Sequence, residues 1–251
     1  MARLLRDGTG LHHEAHGQGA PILLTHGFGA TSRMWDEQVE EFTDRYRLIL
    51  WDLPGHGESE ISAAAATSDR LVGDMLAILD AETPLPAVLI GLGLGGLLSL
   101  RFWRAHPHRV RGLVLIGTLP GLRSHAARDM WNRQTEEAAR ALERDGLAAL
   151  EGGIEVDPGM HACPIGMAIA ARVLLTQQDQ GALPWLAEID TPALILAGSE
   201  DRPNLTAADF MAGAMRNARK TIIPRANHAV NMHKPAATNA AILDFLRRLP
   251  P

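Results

Sequence analysis

The chain has a single cysteine, Cys163, so it can form no intrachain disulfide, and this usage points to a reducing, cytoplasmic compartment. No apolar run approaches the ~20 residues that a membrane-spanning helix needs. The opening stretch, Met1-Ala2-Arg3-Leu4-Leu5-Arg6-Asp7, reaches a charge too early for a secretory signal. A strong excess of either charge is also missing. At a net charge of −5 over 251 residues, nothing favours nucleic acid or an anionic membrane as a partner. There is no internal repeat and no low-complexity tract; the short Ala63–Ala66 run reads as loop or helix lead-in. What remains is 46% hydrophobic and 21% charged, the balance of a globular protein long enough for one large α/β domain with a sizeable core.

One further absence is a single side chain. The apolar run Val88-Leu89-Ile90 meets the glycine cluster Gly91-Leu92-Gly93-Leu94-Gly95-Gly96, after which a helical pattern begins. That is a strand feeding a sharp turn into a helix. The same glycines fit a dinucleotide fingerprint, G-x-G-x-x-G, but that reading needs an acidic residue on the next strand, and Gly112–Gly117 ends without Asp or Glu. The spacing Gly91-x-Gly93-x-Gly95 resembles instead the nucleophile elbow, G-x-S-x-G, of the α/β-hydrolase superfamily. The central residue of that elbow carries the nucleophile into the active site. Here it is Gly93, so the position is vacant.

Two more segments carry the resemblance. Pro21–Thr25 is a buried-type strand running into His26-Gly27-Phe28-Gly29, which is similar to the superfamily's H-G-x-G turn. The strand Arg47–Trp51 ends in Asp52-Leu53-Pro54-Gly55-His56-Gly57-Glu58-Ser59, a D-x-P-G-H-G-x-S loop characteristic of the superfamily. By that match Phe28 and Leu94 donate the two backbone N–H groups of an oxyanion hole, while His26, Asp52 and His56 are structural. The triad acid maps to Asp201, in the Gly198-Ser199-Glu200-Asp201 segment at the end of strand Pro192–Gly198, with Glu200 pointing away. The histidine maps to His228, after strand Lys220–Ile223; His233 belongs to the final helical region. The order elbow, Asp, His is that of the superfamily. The closest flavours are small esterases, enol-lactone hydrolases of the 3-oxoadipate enol-lactonase type and carbon–carbon bond hydrolases.

The resemblance implies an α/β-hydrolase fold: a mostly parallel eight-stranded sheet flanked by helices, with a helical cap inserted. The expected core is residues 1–121 and 188–251. Residues 122–187 show no strand pattern, only helical stretches at Ala126–Glu143 and Gly166–Gln177 between breakers, and form the expected cap. Its apolar residues Trp131, Met160, Met167 and Trp185 are candidates for lining a substrate pocket, and Arg33 or Arg133 for binding an anionic substrate. Elsewhere, Arg3–Leu5 and Leu11–His16 read as strands, with His12, Glu14 and His16 on one solvent-facing polar face rather than a metal site, which needs three or four convergent ligands. Thr31–Thr43 reads as a capped helix, Thr67–Leu79 as an amphipathic one and Pro235–Leu249 as the terminal one.

Without a hydroxyl at residue 93 a covalent acyl-enzyme there is excluded. Ser99, about two helical turns on, cannot substitute, and Cys163 lies in the cap. Three readings follow: an enzyme in which the Asp201–His228 dyad acts directly as general base, for hydrolysis, lyase or cyclase chemistry on a small carbonyl, ester or lactone; a conventional serine esterase or lactonase bearing a Ser→Gly change; and a non-catalytic small-molecule binder. None calls for a cofactor or a metal, and the chain is expected to be a monomer or homodimer with a small-molecule substrate.

Overall fold

The computed structural model describes residues 2–62 and 67–250, so the Ala63–Ala66 run lies outside the described residues. Eight strands form one sheet in the order β1-β2-β4-β3-β5-β6-β7-β8. They are β1 (Ala2–Arg6), β2 (Thr9–His16), β3 (Ala20–Thr25), β4 (Tyr46–Trp51), β5 (Ala87–Leu92), β6 (Val110–Ile116), β7 (Ala193–Gly198) and β8 (Ala218–Ile223). From β4 across to β8 all neighbours are parallel, whereas β2 pairs antiparallel with both β1 and β4.

The central strands are apolar throughout because both faces are covered. In β3, Leu23 joins one buried cluster while Ile22 and Leu24 join the other; in β5, Leu89 faces one way and Val88, Ile90 and Leu92 the other. Helices α1 (Asp36–Phe42), α2 (Ser68–Glu82), α3 (Leu94–Ala105), α4 (His125–Asp145), α5 (Pro164–Ala170), α6 (Arg202–Ala214), α7 (Val230–His233) and α8 (Pro235–Arg247) complete the fold. Leu71 and Met75 of α2, Leu97 and Phe102 of α3 and Met211 of α6 pack on the first face. Phe42 of α1 and Ile242, Phe245 and Leu246 of α8 pack on the second.

Between β6 and β7 lies a stretch with no strand among the described residues. Its longest helix, α4, starts where the Ser124 hydroxyl accepts the Ala127 N–H at 3.1 Å and stops at Gly146, which has φ +72°. Leu142 and Ala139 of α4 meet Met167 and Ala168 of α5 in a third small core, with Phe28 at its edge. The α5 segment is shorter than the expected Gly166–Gln177 helix: it ends at Ala170 and passes into a π-helical turn, Ala171–Leu175.

Two local expectations need correction. The Thr31–Thr43 helix is a 3₁₀ turn, Ser32–Trp35, followed by α1, and Thr31 makes no side-chain cap. The turn is held from outside instead, where Asp52 Oδ1 accepts the Ser32 N–H at 2.7 Å. His12 is buried, not solvent-facing, because the loop after β4 folds over it: its N–H donates to Ser59 Oγ and its ring approaches Glu58 at 3.7 Å. His16 pairs with Glu14 at 3.0 Å on the same strand.

Candidate active site

The turn from β5 to α3 is built by close backbone approach. A Cβ at Gly91 would land on the backbone of Gly95, and one at Gly95 on the carbonyl of Thr25 in β3, so neither position admits a side chain. Between them Gly93 has φ +53° and ψ −110°, a conformation strained for any other residue, and its N–H donates to Ile116 O at 2.8 Å. Leu94 is the first residue of α3, so its N–H has no intrahelical acceptor and sits at the positive end of the helix.

Parallel pairing puts the C-terminal ends of β5, β7 and β8 on one edge, where the residues after β7 and β8 meet the elbow. Asp201 and His228 lie on the loops that leave β7 and β8, and His228 Nδ1 is 3.0 Å from Asp201 Oδ2. Asn204, in the first turn of α6, donates its amide to both Asp201 oxygens at 2.9 Å. Glu200, beside Asp201, is exposed. The other ring nitrogen of His228 points at the vacant position: a Cβ on Gly93 would lie 3.2 Å from His228 Nε2.

The two partners shift one another. Burial alone would weaken the His228 imidazolium, but the hydrogen bond and charge of Asp201, with the Glu155 carboxylate, hold its pKa above the ordinary value. Burial pushes the Asp201 carboxyl up, and the hydrogen bonds from His228 and Asn204 more than offset this, leaving it below the usual range. An imidazole oriented this way can take a proton at Nε2 and keep the charge paired.

A cavity of about 350 Å³ opens beside this pair, lined among others by Phe28, Gly93, Leu94, Trp131, Glu155 and His228. Of the expected lining residues, Trp131 is in place, its Nε1 donating to Leu175 O at 2.6 Å. Met167 is core, Met160 is exposed, and Trp185 lines a separate, wider groove of about 750 Å³ while stacking on Trp103. Arg33 and Arg133 are exposed and do not line the cavity; Arg33 reaches Asp36, one turn on, instead. Ser99 bonds back to Gly95 O within α3, and Cys163 is exposed, its sulfur accepting the Gly166 N–H. Among the described residues no three His, Cys, Asp or Glu side chains converge as metal ligands would.

The motif loops brace the site. His26 bonds Gly27 O through Nδ1 and accepts the Leu53 N–H through Nε2, and burial lowers its pKa to about 4. Asp52 accepts the Glu58 and Ser32 N–H groups, closing the loop on itself. His56 is fully buried against the edge of Phe28, with ring centroids 5.0 Å apart, and burial takes its pKa well below the ordinary value. Three residues were not singled out from the sequence: Asn204, Glu155 and His161. His161 clamps the α4–α5 connection to the core, accepting the Gly57 N–H at Nδ1 (3.1 Å) and donating from Nε2 to Gly29 O (2.8 Å). Asn204 could have been sought from its spacing, since i+3 from Asp201 shares a helix face. Glu155 and His161 sit in an irregular stretch whose periodicity carries no signal.

Similarity to known proteins agrees with this fold. The (E)-2-((N-methylformamido)methylene)succinate hydrolase of Acinetobacter baylyi is 26% identical over 95% of each chain. The pimeloyl-acyl-carrier-protein methyl ester esterase of Chromobacterium violaceum is 31% identical over 86% of this chain and 90% of that one. Among solved structures, MenH from S. aureus superposes with a TM-score of 0.86 at 26% identity, covering 94% of this chain and 98% of that one. The sequence model of the alpha/beta hydrolase family matches residues 22–241, and the chain is a member of that family, an enzyme of the hydrolase superfamily.

Proposed function

We propose that this enzyme acts on a small ester, lactone or other carbonyl compound, with His228 as a general base oriented by Asp201 and no covalent intermediate at residue 93. The relatives support the substrate class, being named for hydrolysis of a succinate derivative and of a methyl ester. One observation carries the mechanism: His228 Nε2 faces the space that a side chain at residue 93 would occupy, 3.2 Å from its Cβ position, and that space opens into the cavity. A water held there is within reach of both the imidazole and a bound carbonyl.

In hydrolysis, Nε2 takes a proton from this water as its oxygen bonds to the carbonyl carbon. The carbonyl oxygen gains the negative charge, and the N–H groups of Phe28 and Leu94 hold it. Collapse expels the leaving alkoxide, which takes the proton back from the imidazolium, and Asp201 keeps that cation paired throughout. The same base and oxyanion site serve proton abstraction from a substrate C–H or O–H, which is the lyase or cyclase branch. General base assistance supplies about 10²–10⁴-fold, and each oxyanion donor about 10²–10³-fold. In this reading residues 122–187 act as a cap that excludes water and shapes the pocket.

The test is turnover of a panel of small esters, enol-lactones and β-hydroxy carbonyl compounds by the protein and by His228→Ala, with intact mass recorded during turnover. The expected result is turnover without an acyl adduct, lost by at least about 10²-fold in His228→Ala. Full activity in that variant would remove His228 from the mechanism.

A further inference from the structure

We propose that the Glu155 side of this cavity is a subsite for an ammonium group carried by the substrate; the inference rests on the reading of the His228 cavity as the active site. Among the described lining residues Glu155 is the one carboxylate, and none is Lys or Arg. Its Oε2 is buried and has no hydrogen-bond partner, and no ion pair is made to either oxygen among the described residues. The residue is half-buried, and its carboxylate stands in the lining without a fixed counter-charge.

Gln177 adds a second polar side chain to the lining. It is 6% exposed, lines the same cavity, and its Oε1 is buried without a partner. Its backbone is fixed on both sides by Asn132, whose Oδ1 accepts the Gln177 N–H at 2.8 Å and whose Nδ2 donates to Gln177 O at 3.1 Å. Trp131, one residue before Asn132, is pinned through Nε1 and adds an aromatic face to the same lining. A carboxylate and an aromatic surface in one lining, with no Lys or Arg among its described residues, suit a group that is positive. They repel a carboxylate-bearing substrate. The subsite also touches the chemistry: Glu155 is among the groups that favour the protonated His228, so an ammonium neutralising Glu155 shifts His228 toward the neutral base.

The experiment titrates the whole protein with n-butylammonium, n-butanol and n-butyrate, following the His228 ring resonances by NMR and Trp131 by fluorescence against a Trp131→Phe control. The expected result is butylammonium binding at least about tenfold tighter than butyrate, with a fall in the His228 pKa on binding. Glu155→Gln abolishes the preference. Equal or tighter butyrate binding, or an unchanged ratio in folded Glu155→Gln, overturns the subsite. Because the readout is binding, an ammonium preference in a protein that turns over none of the panel esters would support the subsite while refuting the proposed reaction.

Discussion

Placing a hydroxyl at residue 93 tests the site's alignment directly. In Gly93→Ser the new Cβ lies 3.2 Å from His228 Nε2, close enough that the ring must give by a few tenths of an ångström, and Oγ then falls within hydrogen-bond reach of Nε2. The backbone opposes the change. A non-glycine residue at φ +53°, ψ −110° costs about 1–3 kcal/mol, which for a chain of this size lowers Tm by roughly 2–10 °C. The oriented imidazole favours the new chemistry, since it can deprotonate the serine as it attacks. The variant should therefore be less stable yet label with a fluorophosphonate, gain about 10²-fold or more in simple ester turnover, and show an acyl adduct by intact mass. The parent should not label. Labelling should vanish in Gly93→Ser/His228→Ala. If folded Gly93→Ser, verified by calorimetry and circular dichroism, neither labels nor turns over esters, then Asp201–His228 is not aligned on residue 93 and the general-base reading falls with it.

Other outcomes follow from the same geometry. Because His228 must be neutral to act as base and its pKa is held above the ordinary value, turnover should rise with pH and level off only above about 6.5. Asn204→Ala, which frees the Asp201 carboxylate of its second donor, should reduce kcat by about tenfold with little change in KM; an unchanged pH profile and kcat would remove Asn204 as a positioning residue. His26 is protonated far more readily in the unfolded chain than in the fold, where its pKa is about 4. The unfolded state therefore binds more protons between pH 6.5 and 4, and this contribution is complete above 6.5 and lost on acidification, amounting to about 3 kcal/mol. Urea midpoints measured over that range should fall accordingly, and less steeply in a folded His26→Asn variant. His161→Ala removes two hydrogen bonds that join the α4–α5 connection to the Gly29 and Gly57 loops. It should cost about 1–3 kcal/mol and raise amide exchange in residues 150–163 before it does so in β5.

Much of the architecture is written in local pattern. The glycines at 91 and 95, the His26–Gly29 turn and the Asp52–Ser59 loop are read from sequence because each position has a backbone or hydrogen-bond requirement that few residue types meet. The central strands are legible as apolar runs because both sheet faces are covered there. Asp201 and His228 follow from their place after β7 and β8, since parallel strands deliver their C-terminal ends to one edge. Gly93 is the informative exception: glycine leaves no side chain at the centre of the turn, and only the fold reveals that Nε2 of His228 looks into the gap this leaves.

What the tertiary structure alone decided concerns side chains whose meaning depends on distant neighbours. Arginines 33 and 133 carry the right chemistry for an anionic ligand, yet both are exposed and neither lines the cavity, whereas Glu155 does. His12 looked like a polar strand face and is buried, because a loop 40 residues later closes over it. His161 and Gln177 gain their roles from contacts to Gly29, Gly57 and Asn132 that no spacing encodes. Backbone demands leave a signature in the residues that meet them, whereas the lining of a cavity between an inserted helical segment and a sheet edge is fixed only when the two are packed together.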